Sequence, residues 1–319
     1  MANIHLAFSV KPRSGLSAFT RRLFQYRILL LMLLPAVAYV LLFSYIPMGG
    51  VILAFKNYNY ADGILHSPWA GLANFRFFFQ SGQAFKVTRN TLLYNLAFII
   101  VNTTLQIAIA ILLSELRGKR FKRTAQSMMF LPYFISWVIV SMIALNLLSY
   151  EYGVINGLLA RTGSARINFY SQPKLWIPIL IFFSFWKGVG YGTVMYLAAL
   201  AGIDTTTYEA AQIDGANIFQ RIFRITIPSL KPTIVVLVLL AVGGIFRGNF
   251  DMFYQLVGNV GPLFETTDVI DTFTFRALLR SNDIGMSSAS GLYQSVFCFI
   301  TIILANWLVK RYDSEYALF

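Results

Sequence analysis

An all-α fold of six membrane-spanning helices is predicted by three observations: the composition, six long apolar runs, and cations gathered at the ends of those runs. Of 319 residues, 57% are hydrophobic and 12% charged. A soluble domain carries about 25% charged residues. Mean hydropathy is +0.63. A net charge of +13 would suggest nucleic acid in a soluble protein. Here the cations flank apolar runs, as membrane orientation requires, so lipid is expected around the chain and nucleic acid is not.

Crossing the hydrocarbon takes about 20 apolar residues at 1.5 Å each. The runs 28–47, 91–114, 125–149, 175–201, 232–250 and 289–309 meet or approach that length. Each is read as a helix, because lipid offers backbone groups no other partner. In the first, Pro35 is tolerable as a kink, and Met48–Phe55 after Pro47 is a continuation or an interfacial segment. In the third, Pro132 is tolerable in the same way. The fourth carries Lys187 and the fifth Arg247. The sixth holds Cys298, the only cysteine, which has no internal disulfide partner. The start, Met1–Arg27, is too polar for a secretory signal. His5 and His66 lie far apart, and a zinc site needs three or four converging ligands, so no metal is expected.

The connections set the orientation. Lys11, Arg13, Arg21, Arg22 and Arg27 precede the first span. Arg117, Lys119, Arg120, Lys122 and Arg123 join the second to the third. Arg221, Arg224 and Lys231 join the fourth to the fifth, and Lys310 and Arg311 follow the sixth. The other side carries fewer cations. The positive-inside rule therefore puts both termini in the cytoplasm. The resulting division is a cytoplasmic segment 1–27, a transmembrane domain 28–309 with a cytoplasmic loop 204–232, and a cytoplasmic tail 310–319. The external elements are 56–90, 150–174 and 251–288. Most aromatic residues of the first, including Trp69 and Phe77–Phe79, are expected to anchor at the interface.

The loop 204–232 is the informative segment. Thr206 and Glu209 have capping-box spacing, so a helix is expected to start there. Gly215 can supply a tight turn. Ile218, Phe219, Ile222, Phe223 and Ile225 then repeat with helical period. Pro228 and Pro232 are expected to break that helix and launch the next span. Helix, glycine turn and amphipathic helix make a docking shape for a soluble partner.

The stretch Glu209 to Pro232 resembles the "EAA" loop of binding-protein-dependent ABC importer permeases. It has the sugar, or maltose-type, form E-A-A-x-x-D-G-A, followed by F, I-x-I-P and P. Trp69–Phe75, Val269–Phe273 and Ala289–Tyr293 are similar to other segments of the family. The end, Arg311–Phe319, is similar to the tails of a branch importing complex saccharides, and the likeness extends to permease subunits of bacterial alginate importers. The resemblance implies a type I ABC importer permease in the bacterial inner membrane. It implies that Glu209, Ala210, Ala211, Asp214, Gly215 and Ala216 couple to an ATPase. Implied partners are a second permease subunit, two ATP-binding subunits holding ATP and Mg, and an external solute-binding protein delivering a saccharide. The chain itself lacks G-x-x-x-x-G-K-[ST]; Gly118-Lys119 is followed by Arg120. It is therefore expected to be a transport subunit, not an enzyme, with no cofactor of its own.

Lys187 and Arg247 remain to be explained. A cation within a span usually faces a cavity or a partner. Each could meet substrate, pair with Asp251 or a second subunit, or snorkel near a span end. The resemblance puts sugar contacts at Gly188 and Tyr191 and at Gly244, Arg247 and Asn249. Tyr191 could stack on a sugar or simply pack between helices. Two cations facing one cavity would favour an acidic saccharide such as an alginate oligomer, since guanidinium binds carboxylate bidentately. A channel or secondary transporter would explain Lys187 but not the docking loop. A membrane enzyme acting on glycan or lipid would need converging acids or histidines, and the spans contain almost none.

Overall fold

The computed structural model describes residues 24–80, 82–116 and 118–318, without the side chains of Phe77 and Glu315. The predicted segment 1–27 lies outside this range except at its end, as does Arg117. The chain divides into two compact units, one ending at Ile52 and one spanning Leu53–Phe319.

The first unit is carried by helix α1, Arg27–Phe55. Pro35 sits inside it without stopping it. A π turn at Leu41–Tyr45 and a 3-10 ending at Gly49–Phe55 complete the helix. Met48–Phe55 is thus its continuation. No side chain of Arg27–Val40 is buried.

In the second unit, α2 is Ala73–Gln80, α3 Gln83–Glu115, α4 Lys119–Phe134, α5 Trp137–Leu148 and α6 Val154–Arg161. Then come α7, Trp176–Ala201, and α8, Thr205–Ile213. The rest is α9, Ile218–Gly243, α10, Phe250–Val257, α11, Ile270–Leu279, and α12, Ile284–Tyr312. Helices α3 and α7 are the most extensively packed pair. One core gathers Tyr94, Trp176, Leu180, Phe183 and Phe253. A second gathers Phe78, Val87, Ile270, Phe273 and Cys298.

Several sequence expectations are corrected. The third span is two helices, α4 and α5, bent by 96°. Pro132 lies in the last turn of α4, where it removes a donor and crowds the carbonyl four residues back. Ser136 then adopts an extended conformation, and its hydroxyl caps α5. The fifth span ends at Gly243 rather than 250, and a short non-helical stretch separates it from α10. Conversely, Pro228 and Pro232 do not break α9. A π turn at Ile222–Thr226 shifts the hydrogen-bond register, and Pro228 falls in the first turn after it, where a missing donor matters least. Phe78 is fully buried in the second core rather than anchored at an interface.

The motif Gly71-Leu72-Ala73-Asn74-Phe75 has a structural job. The Asn74 amide donates to the carbonyls of Ala54 and Lys56, both at 3.0 Å. Lys56 is itself buried, and its ammonium donates to the carbonyls of Ile64 and Leu65 at 3.0 and 2.6 Å.

Candidate functional site: a docking loop and two broken helices

Helix α8 is capped two residues earlier than predicted. The Asp204 carboxylate, not Thr206, is the cap; it accepts from the Thr206 amide at 2.9 Å. That hydrogen bond holds the Asp204 carboxyl below its ordinary range. The helix stops at Gly215, whose φ is +79°. There the Ala216 amide reaches back to the Ala211 carbonyl at 2.9 Å and the Gly215 amide to Gln212 at 3.1 Å. This is a Schellman ending, which needs a left-handed residue just past the helix. Asn217 and Gln220 then exchange hydrogen bonds of 2.8 and 2.9 Å between side chain and backbone, opening α9.

The six predicted coupling residues therefore belong to one unit. Ala211 supplies a carbonyl, Gly215 the turn, and Glu209, Ala210 and Asp214 lie exposed on α8 and its end. Ile213 is 86% exposed and Phe219 68%. Large apolar side chains held this open on a tightly capped loop offer a surface to a partner. A concavity of about 320 Å³ lies beside the turn, lined by Ala211, Gly215, Gln220 and Arg224 among others.

The break between α4 and α5 is where Lys187 of α7 arrives. Its Nζ donates to the Tyr133 carbonyl at 2.8 Å, to Pro132 at 3.2 Å, and to Ile135. It also lies 5.4 Å from the Trp137 ring centre and 5.8 Å from that of Tyr133. Tyr191, one turn along α7, stacks on Tyr133 at 5.0 Å with its plane tilted by only 10°. Close approach of α7 to α4 depends on Gly190, where a Cβ would overlap the Met129 and Phe130 backbone. At Gly188 there is open space instead. A cavity of about 410 Å³ sits at the break, lined by Tyr133, Ser136, Trp137, Lys187, Asp251 and Gln255 among others.

The second break separates α9 from α10 and holds Gly244, Arg247 and Asn249. Its carbonyls are satisfied from neighbouring helices. The Asn95 amide donates to Ile245 at 2.8 Å and to Arg247 at 2.9 Å. Gln294 donates to Phe246 and to the Asp271 carboxylate, both at 2.8 Å. Asp271 also accepts from the Gly248 amide. Burial pushes the Asp271 carboxyl above its ordinary range, with those hydrogen bonds opposing. Asn249 caps α10 through the Met252 amide at 3.2 Å. The Arg247 side chain is exposed, and the lining of the Lys187 cavity does not include it.

With this geometry in place, comparison with known proteins becomes informative. Residues 106–314 match the model of the "Binding-protein-dependent transport system inner membrane component" family. The chain belongs to that family. It is a permease subunit of an ABC importer. It is 35% identical to the polygalacturonan/rhamnogalacturonan transport system permease protein YteP of Bacillus subtilis, over 92% of this chain and 91% of that one. A chain from the crystal structure of a bacterial ABC transporter that imports the acidic polysaccharide alginate superposes with a TM-score of 0.85. The two are 32% identical, and the match covers 93% of this permease and 99% of its neighbour. The bacterial alginate transporter in complex with an alginate pentasaccharide-bound periplasmic protein gives 0.83, at 33% identity and 91% and 96% coverage.

Family membership sets transport above the channel, secondary-transporter and membrane-enzyme readings. Within the permease, sequence reasoning passed over Tyr133, Trp137 and Gln255 as site residues. Their signal was faint: a proline next to aromatic residues, and one amide just beyond a span. Lys187 pairs with backbone rather than with Asp251. The one salt bridge among the described residues joins Arg276 to Asp268, elsewhere on the chain.

Proposed function

We propose that this permease forms half of the path by which an acidic oligosaccharide enters the cytoplasm, driven by ATP hydrolysed in two partner subunits. The observation that carries the driving step is the capped α8–Gly215–α9 unit, with Ile213 and Phe219 exposed beside it. A cleft in an ATPase subunit would cover those side chains, and Glu209, Ala210, Ala211, Asp214, Gly215 and Ala216 would lie at that contact. A second permease subunit completes the path, and an external solute-binding protein delivers the cargo. The loop and both termini then face the cytoplasm. Gly188, Tyr191, Gly244, Arg247 and Asn249 mark the path on this chain.

The acidic cargo is supported by the names of the relatives, since polygalacturonan and alginate are both uronate polymers. Arg247, exposed at the second break, offers a guanidinium to a carboxylate. The test is ATPase activity of the reconstituted transporter with its binding protein, across neutral and uronate oligosaccharides. Stimulation and uptake by uronate oligomers are expected. Stimulation by neutral sugars alone would remove the acidic cargo and leave the importer.

A further inference from the structure

A lysine inside a span of an importer of acidic sugar invites the role of substrate ligand. The hydrogen bonds of Lys187 argue otherwise. A helix that stops leaves its last carbonyls without partners. Where water is scarce, each is costly to leave bare. Helix α4 stops in this way at Phe134, and the Lys187 ammonium donates to the carbonyls of Tyr133 and Ile135 and to that of Pro132, which also accepts from the Ile135 amide at 3.2 Å. An ammonium has three protons, and three carbonyls receive them. The positive charge also lies at a helix C-terminus, where the macrodipole favours it. Lys56 does the same for the end of the short helix Gly63–His66, so the device occurs twice in this chain.

We propose that Lys187 is a positioning residue: it caps the broken third span from α7 and fixes the bend, leaving Asp251 and Gln255 to meet cargo in the adjoining cavity. Both line that cavity beside Tyr133 and Trp137. Among the described residues neither side chain has a hydrogen-bond partner. Their oxygens suit sugar hydroxyls, and the aromatic rings suit sugar faces. Helix α7 runs through Gly202 into the docking helix α8, so the lysine ties the bend to the span that leads to the ATPase contact. This rests on the importer reading above, and its test separates the two.

The experiment compares Lys187→Met, Lys187→Arg, Asp251→Asn and Gln255→Ala in the complete transporter. Two quantities are read: amide hydrogen exchange across 132–138 in the purified complex, and KM and Vmax for uptake of a uronate oligomer into proteoliposomes. Losing a charged cap is expected to raise exchange at the break by about tenfold or more in Lys187→Met, with Lys187→Arg restoring most of the protection. Vmax should fall in Lys187→Met while KM stays within about twofold, and KM should rise in Asp251→Asn and Gln255→Ala. Unchanged exchange in Lys187→Met, together with a raised KM at constant Vmax, would make Lys187 a ligand and overturn the proposal. If the wild type carries no uronate oligomer, the cargo reading fails, while the exchange result still decides the role of Lys187.

Discussion

At the scale of single residues, Gly215 is the clearest case of a sequence signal with one physical meaning. Its φ of +79° closes the Schellman ending, yet a Cβ there would meet open space. A substitution is therefore penalised by backbone conformation and by what docks, not by crowding within the chain. A left-handed non-glycine residue costs about 1–3 kcal/mol. Gly215→Trp is expected to insert and express normally but to lose most transport, read as uptake per amount of complex recovered. Normal uptake would remove the docking role. Glycine at this position was legible because few other residues fit such a turn. The Asp204 cap was missed for the opposite reason. Asp204 and Thr206 are both ordinary caps, and spacing alone chose the wrong one.

At the scale of elements, the two broken helices were the least legible features. Hydropathy sees apolar length and not continuity, so 125–149 looks like one span although it turns by 96°. The prolines misled in both directions. Pro132 accompanies a break, whereas Pro228 and Pro232 ride in a continuous helix behind a π turn. What decides is where orphan backbone groups find partners, and those partners are distant in sequence: Lys187 for one break, Asn95, Gln294 and Asp271 for the other. Asn95→Leu should strip the Ile245 and Arg247 carbonyls of their donor and destabilise the complex by about 1–2 kcal/mol. The measurement is thermal unfolding in detergent, and an unchanged midpoint would mean that water reaches those carbonyls. Asp271 adds a pH dependence with a definite sign. Burial raises its folded pKa above the unfolded value. Its contribution is fully present below the unfolded pKa and is lost as pH rises through the folded pKa. Asp271→Asn keeps an acceptor for Gly248 and Gln294, so the variant should melt at the same temperature as pH rises through that window while the wild type falls. Parallel curves would assign the pH dependence to another group.

For the molecule as a whole, composition and the basic connections predicted a polytopic helical protein, and the fold agrees. The six runs fall on the helices, although α3 and α12 begin earlier than hydropathy suggests, at Gln83 and Ile284. Orientation is testable directly. A reporter inserted within 117–123 should read cytoplasmic and one within 161–166 external. Agreement between the two would displace the docking loop from the ATPase side. The continuity of α9 has a mechanical meaning. It runs unbroken for 26 residues from Ile218, beside the docking turn, to Gly243, at the edge of the second break. At 1.5 Å per residue such a rod is about 39 Å long. Tilting it by about 10° about its Ile218 end carries its far end about 7 Å sideways. If a partner grips Phe219, as proposed, a small tilt at that end of α9 would reach Gly243, at the edge of the second break, as a sideways stroke of several ångströms.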